Sequence, residues 1–110
     1  MQAGETATAE KLLKPVADSG DKDLAALAKL ALASLYISSN RQGEAAKTYK
    51  DLSDHPSPDV SKAQAQLYLA EMYEATDPKQ AAALYQQIAK ENPDTAVAEI
   101  ARSKGATAGK

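Results

Sequence analysis

At 110 residues, the chain is long enough for one domain with a thin hydrophobic core. It contains no cysteine, which excludes disulfides, thiolate catalysis and cysteine-ligated zinc. Its 13 basic and 15 acidic residues are interspersed and give a net charge of −2. The sequence therefore offers neither a basic stripe for nucleic acid nor a polybasic segment for a lipid surface.

The chain also lacks the features of a membrane-inserted protein. No stretch approaches ~18 consecutive apolar residues, so we expect no direct membrane insertion by this chain. The first residues lack the basic and apolar regions of a signal peptide, and a helical pattern follows soon afterwards. We interpret this abrupt start as the mark of a piece of a longer protein.

Composition and apolar spacing predict an all-α fold of about six helices. The first helix is predicted from Thr6 to Asp18, with Pro15 expected to kink or end it. Its predicted inward residues are Ala9, Leu12, Leu13 and Val16. The second helix is predicted from Lys22 to Ser38, after a cap at Asp21 or Asp23. Its predicted inward residues are Leu24, Leu27, Ala28, Ala31, Leu32, Leu35 and Tyr36.

The remaining helices are separated by helix-breaking residues. The third is predicted from Gln42 to Asp54, and the fourth from a Ser57 cap and Pro58 to Ala75. The fifth is predicted from an Asp77 cap and Pro78 to Glu91, and the sixth from Thr95 to Lys104, before a loose tail over 105–110. The predicted inward residues of these four helices are Ala45, Ala46, Tyr49, Leu52, Ala65, Leu69, Met72, Tyr73, Ala81, Ala82, Leu84, Tyr85, Ile88, Val97, Ile100 and Ala101.

The sequence repeats itself with a period in the mid-thirties. Leu32-Ala33-Ser34-Leu35-Tyr36 is echoed by Leu69-Ala70-Glu71-Met72-Tyr73, 37 residues later. The first copy is followed by Ala45, Tyr49, Leu52 and Pro56, and the second by Ala81, Tyr85, Ile88 and Pro93. Such a period is typical of stacked helical hairpins, each unable to bury its apolar face alone. The short connections predict that neighbouring helices are antiparallel.

This pattern resembles the tetratricopeptide repeat (TPR) family. The resemblance covers Leu24 to Pro93 and implies a right-handed stack of antiparallel helical hairpins. The Trp that often opens that family's first helix is replaced here by Lys29 and Gln66. The resemblance implies one TPR-like domain over 1–104, containing a half-repeat (5–19), two repeats (23–57 and 59–93) and a capping helix (95–104).

Within that family, the chain is similar to the C-terminal halves of bacterial envelope proteins of the ancillary translocon-subunit type. The similarity lies in the alanine-rich composition, the short N-terminal half-repeat and the loops rich in Lys, Gln and Asp. It implies a membrane-anchored parent whose repeat domain contacts proteins on the periplasmic side. If the chain is not such a fragment, we expect a cytoplasmic location.

The resemblance implies a non-catalytic scaffold that binds a peptide or partner protein in a concave groove. Carried over by position, the protein-binding residues are Leu27, Leu30, Ser34, Ile37, Gln64, Leu67, Glu71 and Glu74. Tyr68, the Tyr outside the repeat positions, is a further candidate for contact with the ligand. The apolar members favour an apolar peptide or helix as ligand. The alternative interpretation is that neighbouring helices bury Leu30, Ile37 and Leu67. The resemblance also argues against a chaperone-tail adaptor, because Leu30, Ser34 and Tyr68 hold the places of its cationic clamp.

Enzymatic and metal-binding interpretations have little support. Ser53, Asp54 and His55 are adjacent, so they cannot meet as nucleophile, base and orienting group. Glu71, Glu74 and Asp77 share a helical face, which we interpret as a solvated acidic surface. We therefore expect no catalytic, cofactor or metal site. Two alternatives stay open, namely a self-associating structural module and a fragment of an enzyme whose catalytic part lies elsewhere.

Overall fold

The computed structural model describes residues 3–58 and 60–107, and these contain six helices and no strand. The helices are α1 (Ala3–Ala17), α2 (Lys22–Ser38), α3 (Gln42–Asp54), α4 (Lys62–Thr76), α5 (Pro78–Glu91) and α6 (Ala96–Thr107). The chain divides into two compact units, Met1–Ser61 and Lys62–Lys110. The predicted all-α fold is confirmed, with consecutive helices packed against each other within each unit.

Unit 1 is built around α2, which packs against both α1 and α3. The predicted bounds of α2 and α3 are confirmed. The side chain of Asp21 caps α2 by accepting hydrogen bonds from the backbone N–H groups of Asp23 and Leu24, at 3.1 and 3.2 Å. These bonds satisfy donors that the first helical turn would otherwise leave unpaired. The buried residues of these two helices are Ala25, Ala26, Ala28, Leu32, Ala33, Leu35, Tyr36, Ala45, Tyr49 and Leu52.

The inward face of α1 differs from the prediction. Leu12 is 70% exposed and Val16 is 38% exposed, whereas Thr6 and Ala17 are buried. At 100° per residue, Thr6 and Ala17 share a side of the helix with Glu10, whose carboxylate pairs with Arg41. The ion pair and the small size of Thr6 and Ala17 explain why this side of α1 faces the rest of the unit. The helix does not end at Pro15 but continues to Ala17.

The predicted start of the fourth helix was wrong. Ser57 has no regular secondary structure, Pro58 lies in a bend, and α4 begins only at Lys62. The Ser57 hydroxyl oxygen accepts a hydrogen bond from the Val60 N–H at 3.2 Å, and the Ser57 N–H donates to the Val60 carbonyl at 3.0 Å. These two bonds join Ser57 to Val60, whose side chain is buried.

Unit 2 packs α4 against α5 and α5 against α6, with a smaller contact between α4 and α6. Asp77 caps α5 as predicted, by accepting a hydrogen bond from the Gln80 N–H, and Pro78 occupies the first turn. The predicted break after α5 is confirmed, and Asp94 there adopts a positive φ of 63°. The core of this unit includes a cluster of Leu67, Ala70, Ala81, Tyr85, Ile88 and Ala101.

Helix α6 extends beyond its predicted end at Lys104 and continues to Thr107. Ala98 is fully buried, whereas Ile100, which was predicted to point inward, is 44% exposed. A Cβ atom added to Gly105 would lie 3.2 Å from the Cβ atom of Tyr85, so glycine allows α6 to approach α5 closely. The rest of the predicted tail, 108–110, lies outside the described residues.

This close approach predicts opposite effects for two Gly→Ala substitutions. Gly105→Ala is expected to lower the free energy of unfolding by about 1 kcal/mol, because overpacking against buried Tyr85 outweighs the gain in helix propensity. Gly43→Ala is the matched control, since a Cβ atom added at Gly43 would meet nothing within 4 Å. It should raise stability by about 0.5 kcal/mol. Urea unfolding measures both, and equal stabilisation by the two would contradict close packing at Gly105.

Candidate protein-binding surface

One side of α2 presents a row of uncharged side chains to solvent. We define the α2 face as Leu24, Leu27, Ala31, Ser34 and Ile37, which recur at intervals of three and four residues and are all exposed. Leu24 and Leu27 are 53% and 51% exposed, and Ile37 is 37% exposed. Between Leu24 and Ser38, every exposed position of the helix is uncharged. An apolar row of this kind on a water-facing helix marks a candidate interaction surface.

This exposure corrects part of the predicted core. Leu24, Leu27 and Ala31 were predicted to point inward, but alanines take the inward positions on the opposite side of the helix. Ala25 and Ala26 are buried there, with 7% and 5% of their surface exposed. Small side chains at these positions permit the close approach of neighbouring helices, and Leu24 and Leu27 remain on the exposed side.

The other predicted residues of α2 are also on or beside this surface. Leu27, Ser34 and Ile37 are exposed members of the α2 face, and Leu30 lies partly buried at its edge. Leu24 and Ala31 were not predicted to belong to the surface. The sequence did contain a signal for them, because Leu24, Leu27, Ala31 and Ser34 follow one another at intervals of three, four and three residues.

The predicted residues of α4 have more partners within their own unit. Leu67 is 5% exposed and belongs to the core with Tyr85 and Ala101, which corrects the expectation that it lines a groove. Its burial follows from the packing of α5 and α6 beside α4. Gln64 and Tyr68 are partly buried, and each already interacts within the protein.

The acidic residues near the end of α4 are exposed but not isolated. The Tyr85 hydroxyl donates a 2.6 Å hydrogen bond to Glu74, and Glu71 lies 4.0 Å from the Lys104 ammonium. Burial first, and then the bond to Glu74, raises the pKa of Tyr85. Asp77 is engaged in capping α5. Within the described ranges, no group of three His, Cys, Asp or Glu side chains is placed to hold a metal ion.

A charged network links Glu10 of α1 to Tyr36 of α2 and to Arg41, the residue before α3. Glu10 accepts hydrogen bonds from Arg41 Nη1 at 2.8 Å and from the Tyr36 hydroxyl at 3.2 Å, and Lys14 Nζ lies 3.3 Å from the same carboxylate. The Arg41 guanidinium also stacks over the Tyr36 ring, 4.6 Å from its centroid. The hydrogen bond from Arg41 is the main reason that the pKa of Glu10 falls to about 2.

The residues at the end of α3 form helix-terminal contacts. The Ser53 hydroxyl donates to the Lys50 carbonyl at 2.9 Å, and His55 Nδ1 lies 3.2 Å from the Asp51 carboxylate. The Lys29 ammonium lies 2.6 Å from Asp51 and is the main cause of the lowered pKa of that carboxyl. Asp51 therefore lies between a cationic partner on α2 and an ionisable partner at the end of its own helix.

Comparison of the chain with protein-family models, with curated proteins and with solved structures gave no match. Among the described residues, no helix combines the length and apolar character needed to cross a membrane. We therefore infer function from the surfaces described above.

The Glu10 network predicts a distinct loss of stability in acid. Because the folded-state pKa of Glu10 lies below its ordinary value of 4.5, its contribution is complete above about pH 5 and is lost as the pH falls toward about 2. Glu10→Gln should lower the Tm at neutral pH by about 4 °C and flatten its decline over that window. Thermal unfolding followed by circular dichroism from pH 7 to about 2 measures this. Parallel curves for the two proteins would contradict the assignment.

Proposed function

We propose that this chain is a non-catalytic helical-repeat module that binds a peptide or partner protein through the α2 face. The observation that supports the proposal is the exposure of Leu24, Leu27 and Ile37 on one side of a helix, with uncharged residues between them. Packing within the chain leaves about a third to a half of each of these side chains in water, while other residues of α2 form its buried side. A binding partner would remove them from water.

The energy available from this face fits a recognition surface. Burying a Leu or Ile side chain completely contributes about 1.5–3 kcal/mol, and each of the three is about a third to a half exposed. Covering all three would therefore contribute about 3 kcal/mol, on the scale of a small cluster of binding hot spots. A partner with its own apolar side, such as an amphipathic helix or an extended apolar peptide, has the matching chemistry.

Membership of the TPR family is part of this proposal. The recurrence of Tyr36 at Tyr73 and of Tyr49 at Tyr85 supports it, as do the paired helices within each unit. A bacterial, periplasmic setting as part of a membrane-anchored envelope protein remains the proposed context, with a cytoplasmic location as the alternative.

Site-specific photo-crosslinking tests the proposed function. A photoreactive residue at position 27 is expected to capture a distinct protein in cells expressing the chain, and one at position 79 should capture little. Lys79 is the control because it is an exposed helical residue outside the α2 face. Adding Ser34→Glu should reduce the adduct at position 27 at least about fivefold, since it places a charge within the apolar contact. Equal capture at positions 27 and 79, or no effect of Ser34→Glu, would contradict the proposal.

Self-association is a second candidate, because α1 also exposes apolar side chains. Leu12 and Val16 lie on the side of α1 away from the Glu10 network, and Leu12 is 70% exposed. A second copy of the chain could cover this side.

Sedimentation equilibrium over a range of protein concentrations decides between these candidates. If α1 mediates association, Leu12→Glu should shift the chain to a monomer and Leu27→Glu should leave its mass unchanged. A concentration-independent monomer mass for the unmodified chain would exclude the second candidate.

A further inference from the structure

A groove runs along unit 1 between α1 and α3, with α2 as its floor. At the end where α2 begins, it opens into a cavity of about 570 Å³, and a second cavity of about 390 Å³ continues it. The two cavities share Ala17, Asp18, Lys29 and Asp51 among their lining residues. We call this continuous feature the α1–α3 groove.

The groove and the α2 face lie on opposite sides of the same helix. Ala25, Ala26 and Lys29 line the groove, whereas Leu24 and Leu27 belong to the α2 face. At 100° per residue, these two sets are separated by about half a turn. The groove is therefore a separate feature, and what it binds does not depend on the proposed function.

The floor of the groove is apolar, and its small residues leave space above them. Ala25 and Ala26 line the larger cavity together with Leu52, and all three are buried. Lys29 also lines the groove, and its ammonium lies 2.6 Å from the Asp51 carboxylate. The space above the alanines can receive a large apolar side chain from outside.

The rim of the groove is positively charged, although the whole chain is acidic. Four lysines and two aspartates line the two cavities, whereas the chain carries a net charge of −2. Lys14 and Lys29 have ion-pair partners, but Lys22 and Lys47 are exposed and have none among the described residues. These two ammonium groups are available to carboxylates of a ligand.

The dimensions suit a short extended peptide. The groove follows α2 from Lys22 to Leu32, and ten residues of helix rise about 15 Å. About five residues of extended chain span that distance.

We infer that the α1–α3 groove binds an extended acidic segment of a partner protein. One large apolar side chain of the segment sits over Ala25 and Ala26, and flanking carboxylates face Lys22 and Lys47. The charge of the rim selects the acidic residues, and the floor selects the apolar one. This surface would let the chain hold one partner in the groove while the α2 face remains free.

The test uses the full chain and a fluorescein-labelled pentapeptide, Asp-Glu-Trp-Glu-Asp, with binding followed by fluorescence anisotropy at low salt. Lys22→Glu combined with Lys47→Glu is expected to weaken binding about tenfold or more. The control combines Lys11→Glu with Lys79→Glu, which changes net charge equally at exposed lysines outside the groove. Its effect should stay below about twofold, because only long-range attraction is altered. Equal weakening by both double variants would overturn the inference.

Three further measurements test the apolar contact and the location of binding. None of them requires the charge-reversed variant to fold. Replacing Trp in the peptide by Gly should weaken binding about tenfold, since the side chain over the floor is lost. Leu27→Glu should leave binding unchanged, which separates the groove from the α2 face. In NMR titrations of the unmodified chain, the amides of Ala25, Ala26 and Leu52 should shift. Shifts confined to other residues, or no saturable binding, would overturn the inference.

Discussion

Close approach of helices at buried alanines is the constraint on which the structure depends. Ala33 and Ala45 in unit 1, and Ala70, Ala81 and Ala101 in unit 2, have no exposed surface. At such positions a larger side chain would force the helix axes apart, so the backbones themselves come close. The large residues that remain inside fill the spaces beside these crossings. The fully buried Tyr85 is the clearest case, because its ring packs inside while its hydroxyl bonds to Glu74.

A core with alanine at its helix crossings leaves some of the leucines outside it, and this has a consequence for α2. The buried side of α2 consists of four alanines together with Leu32, Leu35 and Tyr36. Leu24 and Leu27 are then left on the far side, where they form an apolar surface. The same small residues on the packed side leave room for the α1–α3 groove. Both candidate surfaces thus follow from the small size of the alanines on the packed side of α2. The hydrogen bonds and ion pairs of Glu10 hold α1 against this unit.

The features predicted well were those that depend on neighbours in sequence. The Asp21 cap and the Pro78 start are decided within one helical turn, and the alternation of helices and breakers predicted the all-α fold. The side of each helix that faces the core was predicted less well. A period of 3.6 residues places residues on a common face, but it does not decide whether the face with Leu27 or the face with the neighbouring alanines is buried. The burial of Leu67 depends on the packing of other helices beside α4, and the Glu10 network joins α1 to the segment before α3. Neither relation has a local signal in the sequence.

The central claim is that the α2 face is not required for folding. A glutamate scan along α2 tests it, because glutamate is a good helix former and adds a charge at each position in turn. Measured by urea unfolding, glutamate at Ala31 or Ser34 should change the free energy of unfolding by less than about 0.5 kcal/mol, and glutamate at half-exposed Leu27 by about 1 kcal/mol at most. At Ala28 or Leu32 it should cost more than about 2 kcal/mol, since a charge would enter the core. A comparable loss at Leu27 and Ala31 would contradict the account, because it would place the α2 face in the core.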